Sequence, residues 1–181
     1  IGSLVGGVFA AGGLPLFKDW LFCLDQKKLM RLIDLSLSKS YLVRGDRIIN
    51  SLKEVVPDIN IENLGIPYAA VATDLYSGEA VVFREGNLYD AIRSSISIPS
   101  LLRPQKIGIS TLVDGGIVNT MPYDLVARNG NDLLVGFDVN RVDSEAIKSF
   151  LLKLKKFEEE IDNSEQTLFD SISKALHDTR L

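Results

Sequence analysis

The first third of the chain has the hydrophobic patterns of helices. Residues 1–11 (IGSLVGGVFAA) are apolar or small at every position, which predicts a helix buried on all sides. Between residues 14 and 37 the apolar positions recur at helical intervals, and residues 46–55 place their apolar side chains on one helical face. The sequence therefore predicts a mainly helical beginning.

The middle third has the shorter patterns of β-strands. The runs 68–73 (YAAVAT) and 80–83 (AVVF) flank a segment of turn-forming residues, so they predict a β-hairpin. Asn87 is placed to cap a helix over residues 88–95. Residues 111–113 predict one further brief strand.

The next segment predicts another helix and another strand. Pro122 suits the first turn of a helix that runs to Arg128. Residues 132–139 (DLLVGFDV) have the composition of a buried strand. A helix followed by such a strand indicates a layered α/β fold.

The end of the chain changes character, since amphipathic helical stripes begin at about residue 143. We therefore expect residues 1–142 to form the core and residues 143–181 to form helices packed on it. Four lysines in this part, between residues 148 and 156, are followed directly by three glutamates. The lysines suit either an anionic lipid surface or a solvated charged face, and the glutamates favour the solvated face.

Composition excludes several classes of protein. The 181 residues include one cysteine, Cys23, and one histidine, His177, which excludes zinc sites of the Cys/His type. A net charge of −4 without a large basic cluster argues against nucleic-acid binding. No apolar run approaches the ~18 residues of a membrane span. We expect a cytoplasmic protein, although a segment before Ile1 would carry any targeting signal.

A carboxylate followed by two glycines is the first candidate for chemistry. Asp114 follows the predicted strand and precedes Gly115 and Gly116. Such a turn leaves nothing bulky beside the carboxylate, so another chemical group can approach it closely. On its own the D-G-G sequence is common and indicates only a turn.

Four segments resemble, in order, the patatin-like phospholipase family. Residues 112–140 (LVDGGIVNTMPYDLVARNGNDLLVGFDVN) are similar to the family's catalytic-aspartate region, D-G-[GA] followed by an asparagine and a proline. Residues 71–83 (VATDLYSGEAVVF) resemble its A-T-D-L-x-x-G-E hairpin, and residues 91–104 (AIRSSISIPSLLRP) resemble its A-x-R-A-S-x-S-I-P loop. Residues 1–12 (IGSLVGGVFAAG) resemble the helix that follows the family's serine.

The resemblance implies a three-layer α/β fold with a central, mostly parallel sheet flanked by helices. It makes Gly2 the last glycine of G-x-S-x-G, so the nucleophilic serine and the glycine-rich oxyanion loop would precede Ile1. Ser3 does not fit the serine's place, because it would lie inside a helix and not on the strained turn that exposes a nucleophile. The 181 residues alone are therefore expected to be inactive.

The resemblance also implies a serine–aspartate pair in which Asp114 is the base, with Gly2, Gly115 and Gly116 at the active-site turns. A histidine triad is disfavoured, because His177 stands in a polar stretch near the chain's end. The implied activity is that of a carboxylic-ester or phospholipid acyl hydrolase with no metal or organic cofactor. Its partner would be a lipid or small ester; contact with a membrane surface and the oligomeric state stay open.

Several residues near these motifs have two interpretations. Asp74 is expected to be a turn residue that bonds local backbone, and Asp138 to be a structural residue at a strand end. Arg93 either braces the loop that follows its helix or pairs with Asp90. Six apolar residues either line an acyl-chain entrance or cover the sheet: Leu14, Leu16, Phe17, Trp20, Leu21 and Phe22.

Two other functions are alternatives to the hydrolase. A non-catalytic lipid-binding or regulatory protein on the same scaffold would keep the apolar cleft but lack a working serine. The residue encoded before Ile1 distinguishes the two. A thiol enzyme using Cys23 is disfavoured, because no histidine is placed to activate the thiol.

Overall fold

The structure is a computed structural model that describes residues 1–34 and 40–139. The chain divides into two compact units, Ile1–Gly136 and Phe137–Leu181. Of the second unit, the structure describes residues 137–139. The helices expected after residue 143, and with them His177, lie outside the described residues.

Five α-helices and six β-strands make up the described part of the first unit. The helices are α1 (Gly2–Ala10), α2 (Leu14–Phe22), α3 (Gln26–Leu32), α4 (Asp46–Val55) and α5 (Leu88–Ser95). The strands are β1 (Tyr41–Val43), β2 (Ala70–Asp74), β3 (Ala80–Phe83), β4 (Ser100–Leu102), β5 (Gln105–Ile107) and β6 (Ser110–Asp114). Three 3-10 turns cover Ile61–Asn63, Gly115–Ile117 and Tyr123–Leu125.

The strands form two sheets. Four of them pair antiparallel in the order β3-β2-β6-β5, and β1 pairs parallel with β4. The predicted hairpin of β2 and β3 is confirmed, and so is the α/β class. The sequence also predicted a mostly parallel sheet. Among the described residues only β1 and β4 pair in parallel, and the four-stranded sheet is antiparallel.

The core lies where α1, α2 and α4 meet α5 and β2. Its buried side chains include Leu52, Leu88, Tyr89 and Ile92. The Tyr89 hydroxyl lies 2.9 and 2.6 Å from the carbonyl oxygens of Leu52 and Val56, so its one hydrogen is donated at the C-terminal end of α4, where carbonyl groups lack helical partners. This core holds α5 rigidly behind the loop that resembles A-x-R-A-S-x-S-I-P.

Helix α1 packs closely but on one side only. A Cβ atom at Gly7 would lie 3.0 Å from Ile92 Cδ1, so glycine lets α1 approach α5. The prediction of burial on all sides is wrong, because Ile1, Val5 and Phe9 are exposed. These three residues recur every fourth position and share one face, on which nothing packs within the described residues.

The long helical pattern after residue 14 divides into two helices. Chain between α2 and α3 is non-helical, and the Asp25 carboxylate accepts a hydrogen bond of 2.7 Å from the Lys28 N–H, which caps α3. None of the residues of α3 is buried. Residues 35–39, the end of the predicted helical stretch, lie outside the described residues.

Two predictions beyond the Asp114 turn are wrong. Residues 122–128 form only the 3-10 turn Tyr123–Leu125, and residues 132–139 form no strand. The second segment is also exposed and not buried: Leu133 is 87% and Phe137 84% accessible. A strand exists only when a neighbour pairs with its backbone, and among the described residues no strand pairs with this segment.

Candidate active site

Asp114 is held at the end of β6 by its own backbone. Its N–H donates to the Ser97 carbonyl oxygen at 2.9 Å, and its carbonyl oxygen accepts from the buried Thr73 hydroxyl at 2.9 Å. One carboxylate oxygen, Oδ1, accepts from the Gly116 N–H at 2.7 Å. Within residues 1–34 and 40–139 the other oxygen, Oδ2, has no hydrogen-bond partner, so the half-buried carboxylate keeps one oxygen free for chemistry.

The two glycines after Asp114 make room in different directions. A Cβ atom at Gly115 would lie 2.1 Å from the Val71 carbonyl oxygen, and one at Gly116 would lie 2.9 Å from Asp114 Oδ1. Gly115 therefore lets the turn press against the backbone of β2, and Gly116 leaves space beside the carboxylate. Both are needed for close approach, in accord with the prediction that nothing bulky stands beside this acid.

Gly2 is the first residue of α1. Ile1, at the N-cap position before it, makes no side-chain capping hydrogen bond. Ser3 lies inside this helix, where its carbonyl oxygen accepts from the Tyr68 hydroxyl at 2.9 Å. Burial raises the pKa of Tyr68, so the hydroxyl stays protonated as a donor. The Ser3 hydroxyl is buried and has no partner within the described residues, which does not suit an exposed nucleophile.

The first turn of α1 and the Asp114 turn both border the chain that leads into β2. Tyr68 bonds to Ser3, and Val71, three residues later, lies against Gly115. Three residues of extended chain span about 10 Å at most. Residues 3 and 115, which are far apart in sequence and adjoin Gly2 and Asp114, therefore contact one short segment.

Ser97 is a functional candidate that the sequence did not single out, and it lies against Arg93, for which bracing this loop was one of two interpretations. Ser97 is fully buried; its hydroxyl donates to the Arg93 carbonyl oxygen at 2.6 Å and accepts from Arg93 Nη1. Arg93 is 4% exposed, and its Nη2 donates to the carbonyl oxygens of Arg44 and Arg103. Of the two interpretations of Arg93, bracing the loop is therefore confirmed. The only sequence signal for Ser97 was its place in the motif-bearing loop.

The other acids have structural roles or exposed positions. The Asp74 carboxylate accepts from the N–H groups of Tyr76 and Ser77 at 2.9 and 3.2 Å, and these backbone hydrogen bonds lower its pKa. Asp74 is thus confirmed as a turn residue. Asp138 is exposed and lies on no strand, so its predicted place at a buried strand end is wrong.

The apolar cluster of α2 divides between the two interpretations. Phe17 is buried and Trp20 half-buried, with their rings stacked 5.9 Å apart, so this side covers the core. Leu16, Leu21 and Phe22 are exposed, Phe22 to 78%. Of the six residues, only these three are exposed enough to line an entrance for an acyl chain.

The described residues contain neither a cluster of metal ligands nor a membrane-spanning helix. Within residues 1–34 and 40–139, no three His, Cys, Asp or Glu side chains are grouped so as to hold a metal ion. Over the same residues, no helix is long and apolar enough to cross a membrane. Cys23 is exposed and unpaired with another cysteine there.

Comparison with known proteins identifies the family of the chain. A family model described as patatin-like phospholipase matches residues 1–127. An uncharacterised NTE-family protein of Mycobacterium tuberculosis is 40% identical over 140 residues, which are 77% of this chain and 39% of that protein. A patatin-like phospholipase domain-containing protein of Caenorhabditis elegans is 30% identical over 152 residues, 79% of this chain and 11% of that protein.

These relatives are longer than the chain. It spans about two fifths of the mycobacterial protein, and 12% of patatin-like phospholipase domain-containing protein 6 of Mus musculus, to which it is 26% identical. The family match nevertheless covers Gly2 at the start of α1, the Asp114 turn with Gly115 and Gly116, and all residues between them. The chain belongs to the patatin-like phospholipase family, a family of lipid acyl hydrolases.

Proposed function

We propose that this chain is the larger part of the catalytic domain of a serine acyl hydrolase that cleaves lipid esters, of the phospholipase A or esterase type. Asp114 is the general base, and the nucleophilic serine is encoded immediately before Ile1. The observation that carries the proposal is the Asp114 carboxylate, fixed at a strand end with Oδ2 free of partners within the described residues. Its attachment, with the first turn of α1, to residues 68–71 supports the pairing.

The chemistry follows from these positions. The serine oxygen attacks the ester carbonyl carbon while its proton passes to Asp114 Oδ2. Backbone N–H groups of the upstream glycine-rich loop and the N-terminus of α1 stabilise the oxyanion. The proton then passes to the leaving alcohol, and Asp114 removes a proton from the water that hydrolyses the acyl-enzyme.

Asp114→Asn is the decisive substitution, made in the protein expressed with its encoded upstream sequence. The amide oxygen can still accept from the Gly116 N–H, so the melting temperature should be unchanged. Turnover should fall ~10²–10⁴-fold, the contribution of general base catalysis.

Asp74→Asn is the matched control, because Asp74 ends the neighbouring strand and an asparagine can keep its turn. Its turnover should stay within about threefold. If Asp114→Asn melts like the parent and keeps most of its turnover, Asp114 is only a turn residue and the proposal is wrong.

The encoded residue before Ile1 tests the other half of the proposal. A Gly-x-Ser sequence ending there is expected, and residues 1–181 alone should not hydrolyse p-nitrophenyl butyrate. Any other residue in the serine position would favour a non-catalytic lipid-binding or regulatory protein on this scaffold.

A further inference from the structure

A short chain of contacts connects a buried arginine to the candidate base. The Asp114 N–H donates to the Ser97 carbonyl oxygen. The Ser97 hydroxyl in turn bonds both to the Arg93 carbonyl oxygen and to Arg93 Nη1. Ser97 lies two residues beyond the end of α5, and its N–H donates to the Ser94 carbonyl oxygen at 3.2 Å. The two contacts of its hydroxyl add to that bond and connect the residue that positions Asp114 to Arg93.

The guanidinium is itself held in a rigid frame. Its Nη2 bonds to the carbonyl oxygens that follow β1 and β4, those of Arg44 and Arg103. The residue after Arg44 is Gly45, with φ +84°, where a Cβ atom would lie 3.2 Å from Arg93 Cζ. A side chain at residue 45 would therefore press on the guanidinium, and glycine allows the contact.

The frame around the guanidinium is fixed in turn by Asp34. This buried carboxylate accepts from the backbone N–H groups of Gly45, Asp46 and Arg47 at 2.7, 3.0 and 3.3 Å. It thereby caps α4 from a distant part of the chain. The Arg44 carbonyl that receives Arg93 Nη2 directly precedes this capped turn, so it cannot move independently of α4.

The energetics of Arg93 argue for a role beyond filling space. Burying a charged group costs free energy that its hydrogen bonds must offset. Arg93 Nε is buried without a partner among the described residues, and burial lowers the pKa of the guanidinium. An apolar side chain would avoid that cost, but it could not bond Ser97 and two strand ends at once.

We propose that Arg93, acting through the Ser97 hydroxyl, is a positioning residue that sets the place of the Asp114 carboxylate relative to the ester. This inference rests on the proposed role of Asp114. A displacement of the reacting groups by about 1 Å can cost on the order of 10²-fold in rate. The effect belongs in kcat, because the contacts touch no substrate.

Two buried serines provide a matched test in the protein expressed with its encoded upstream sequence. Ser94 and Ser97 are both fully buried, and each hydroxyl donates to the carbonyl four residues earlier, Ser94 to that of Asp90 at 2.7 Å. Only Ser97 also bonds Arg93. Ser97→Ala should lower kcat about 10- to 100-fold with KM unchanged, and Ser94→Ala should leave both within about twofold.

A conservative change at Arg93 gives a second activity measurement. Arg93→Lys keeps the charge but loses the planar fork that reaches a hydroxyl and two carbonyls together. Its kcat should fall at least as far as that of Ser97→Ala. If the lysine variant does not fold, the serine pair decides the question alone.

Amide hydrogen exchange separates this inference from the proposed function. The Asp114 N–H loses its fixed acceptor when Ser97 moves, so Ser97→Ala should speed its exchange about 10-fold relative to Ser94→Ala. If Asp114→Asn stays active, the proposed function fails whatever the exchange shows. The positioning role is overturned if the two serine variants match in exchange, or if Ser97→Ala exchanges faster while its kcat is unaltered.

Discussion

Two neighbouring stretches of the chain, residues 88–116 and residues 122–139, have equally clear sequence patterns and opposite outcomes. In the first stretch, the Asn87 side chain caps α5, most residues of α5 are buried, and the Gly116 N–H donates a hydrogen bond to the Asp114 carboxylate. In the second, Leu133, Val135, Phe137 and Val139 alternate along the chain and are all exposed. A pattern of hydrophobic residues becomes structure only where a partner covers it.

The elements that the sequence predicts correctly depend on interactions between residues close in sequence. Helix α5 begins and ends where predicted, because Asn87 accepts from the Asp90 N–H three residues away. Helix α4 likewise covers residues 46–55 as predicted. Capping and helical spacing depend on residues close in sequence, so one sequence is enough to locate them.

Contacts between distant residues could not be predicted in the same way. Arg93 reaches residues 44 and 103, and Asp34 caps a helix that begins twelve residues later. Nothing in the spacing of these residues indicates which carbonyl or N–H group they meet. For the candidate site, the sequence therefore indicated Asp114, its glycines and a bracing role for Arg93, but not Ser97 or the carbonyl groups that Arg93 meets.

The largest effect on stability is expected where the Asp114 turn touches β2. Gly115→Ala would put a methyl group 2.1 Å from the Val71 carbonyl oxygen, so backbone must move. We expect a loss of about 3 kcal/mol or more in unfolding free energy, measured by urea denaturation. Gly130→Ala is the control, since nothing lies within 4 Å of its Cβ position; equal losses would show that the turn is not tightly packed.

Truncation of a core side chain tests the same contrast. Ile92 on α5 is completely buried, and Val135 in the second stretch is exposed. Ile92→Ala should cost about 2–5 kcal/mol, and Val135→Ala should stay within about 0.5 kcal/mol. Thermal and chemical unfolding of both variants would check this. A comparable loss for Val135→Ala would mean that residues 122–139 are covered in solution.

A smaller effect, with a defined pH dependence, is expected at Asp34. Burial raises the pKa of this carboxyl, but hydrogen bonds from the N–H groups of Gly45, Arg47 and Asp46 outweigh it, so the pKa is lowered. A group with a lowered folded pKa stabilises the protein above its unfolded pKa, and that stability is lost as the pH falls through the folded value. Asp34→Asn should cost about 1–2 kcal/mol at pH 7.

The pH series identifies the cause of that loss. The difference between Asp34→Asn and the parent should shrink as the pH falls below the ordinary aspartate range of ~3.9, because the parent carboxyl then becomes neutral too. Asp90→Asn, on an exposed acid of α5, is the control and should show little loss at pH 7. A difference for Asp34→Asn that stays constant down to pH 2 would contradict the capping role.

The smallest effect is expected for the single histidine, and it decides whether Asp114 or His177 is the base. His177 is the only imidazole among the 181 residues. In a histidine triad the imidazole takes the serine's proton, and its removal costs on the order of 10³-fold or more. If Asp114 takes that proton directly, His177→Ala in the protein expressed with its encoded upstream sequence should keep turnover within about threefold. A drop of the triad size, with loss of a limb near the ordinary histidine pKa of ~6.5, would transfer the base from Asp114 to His177.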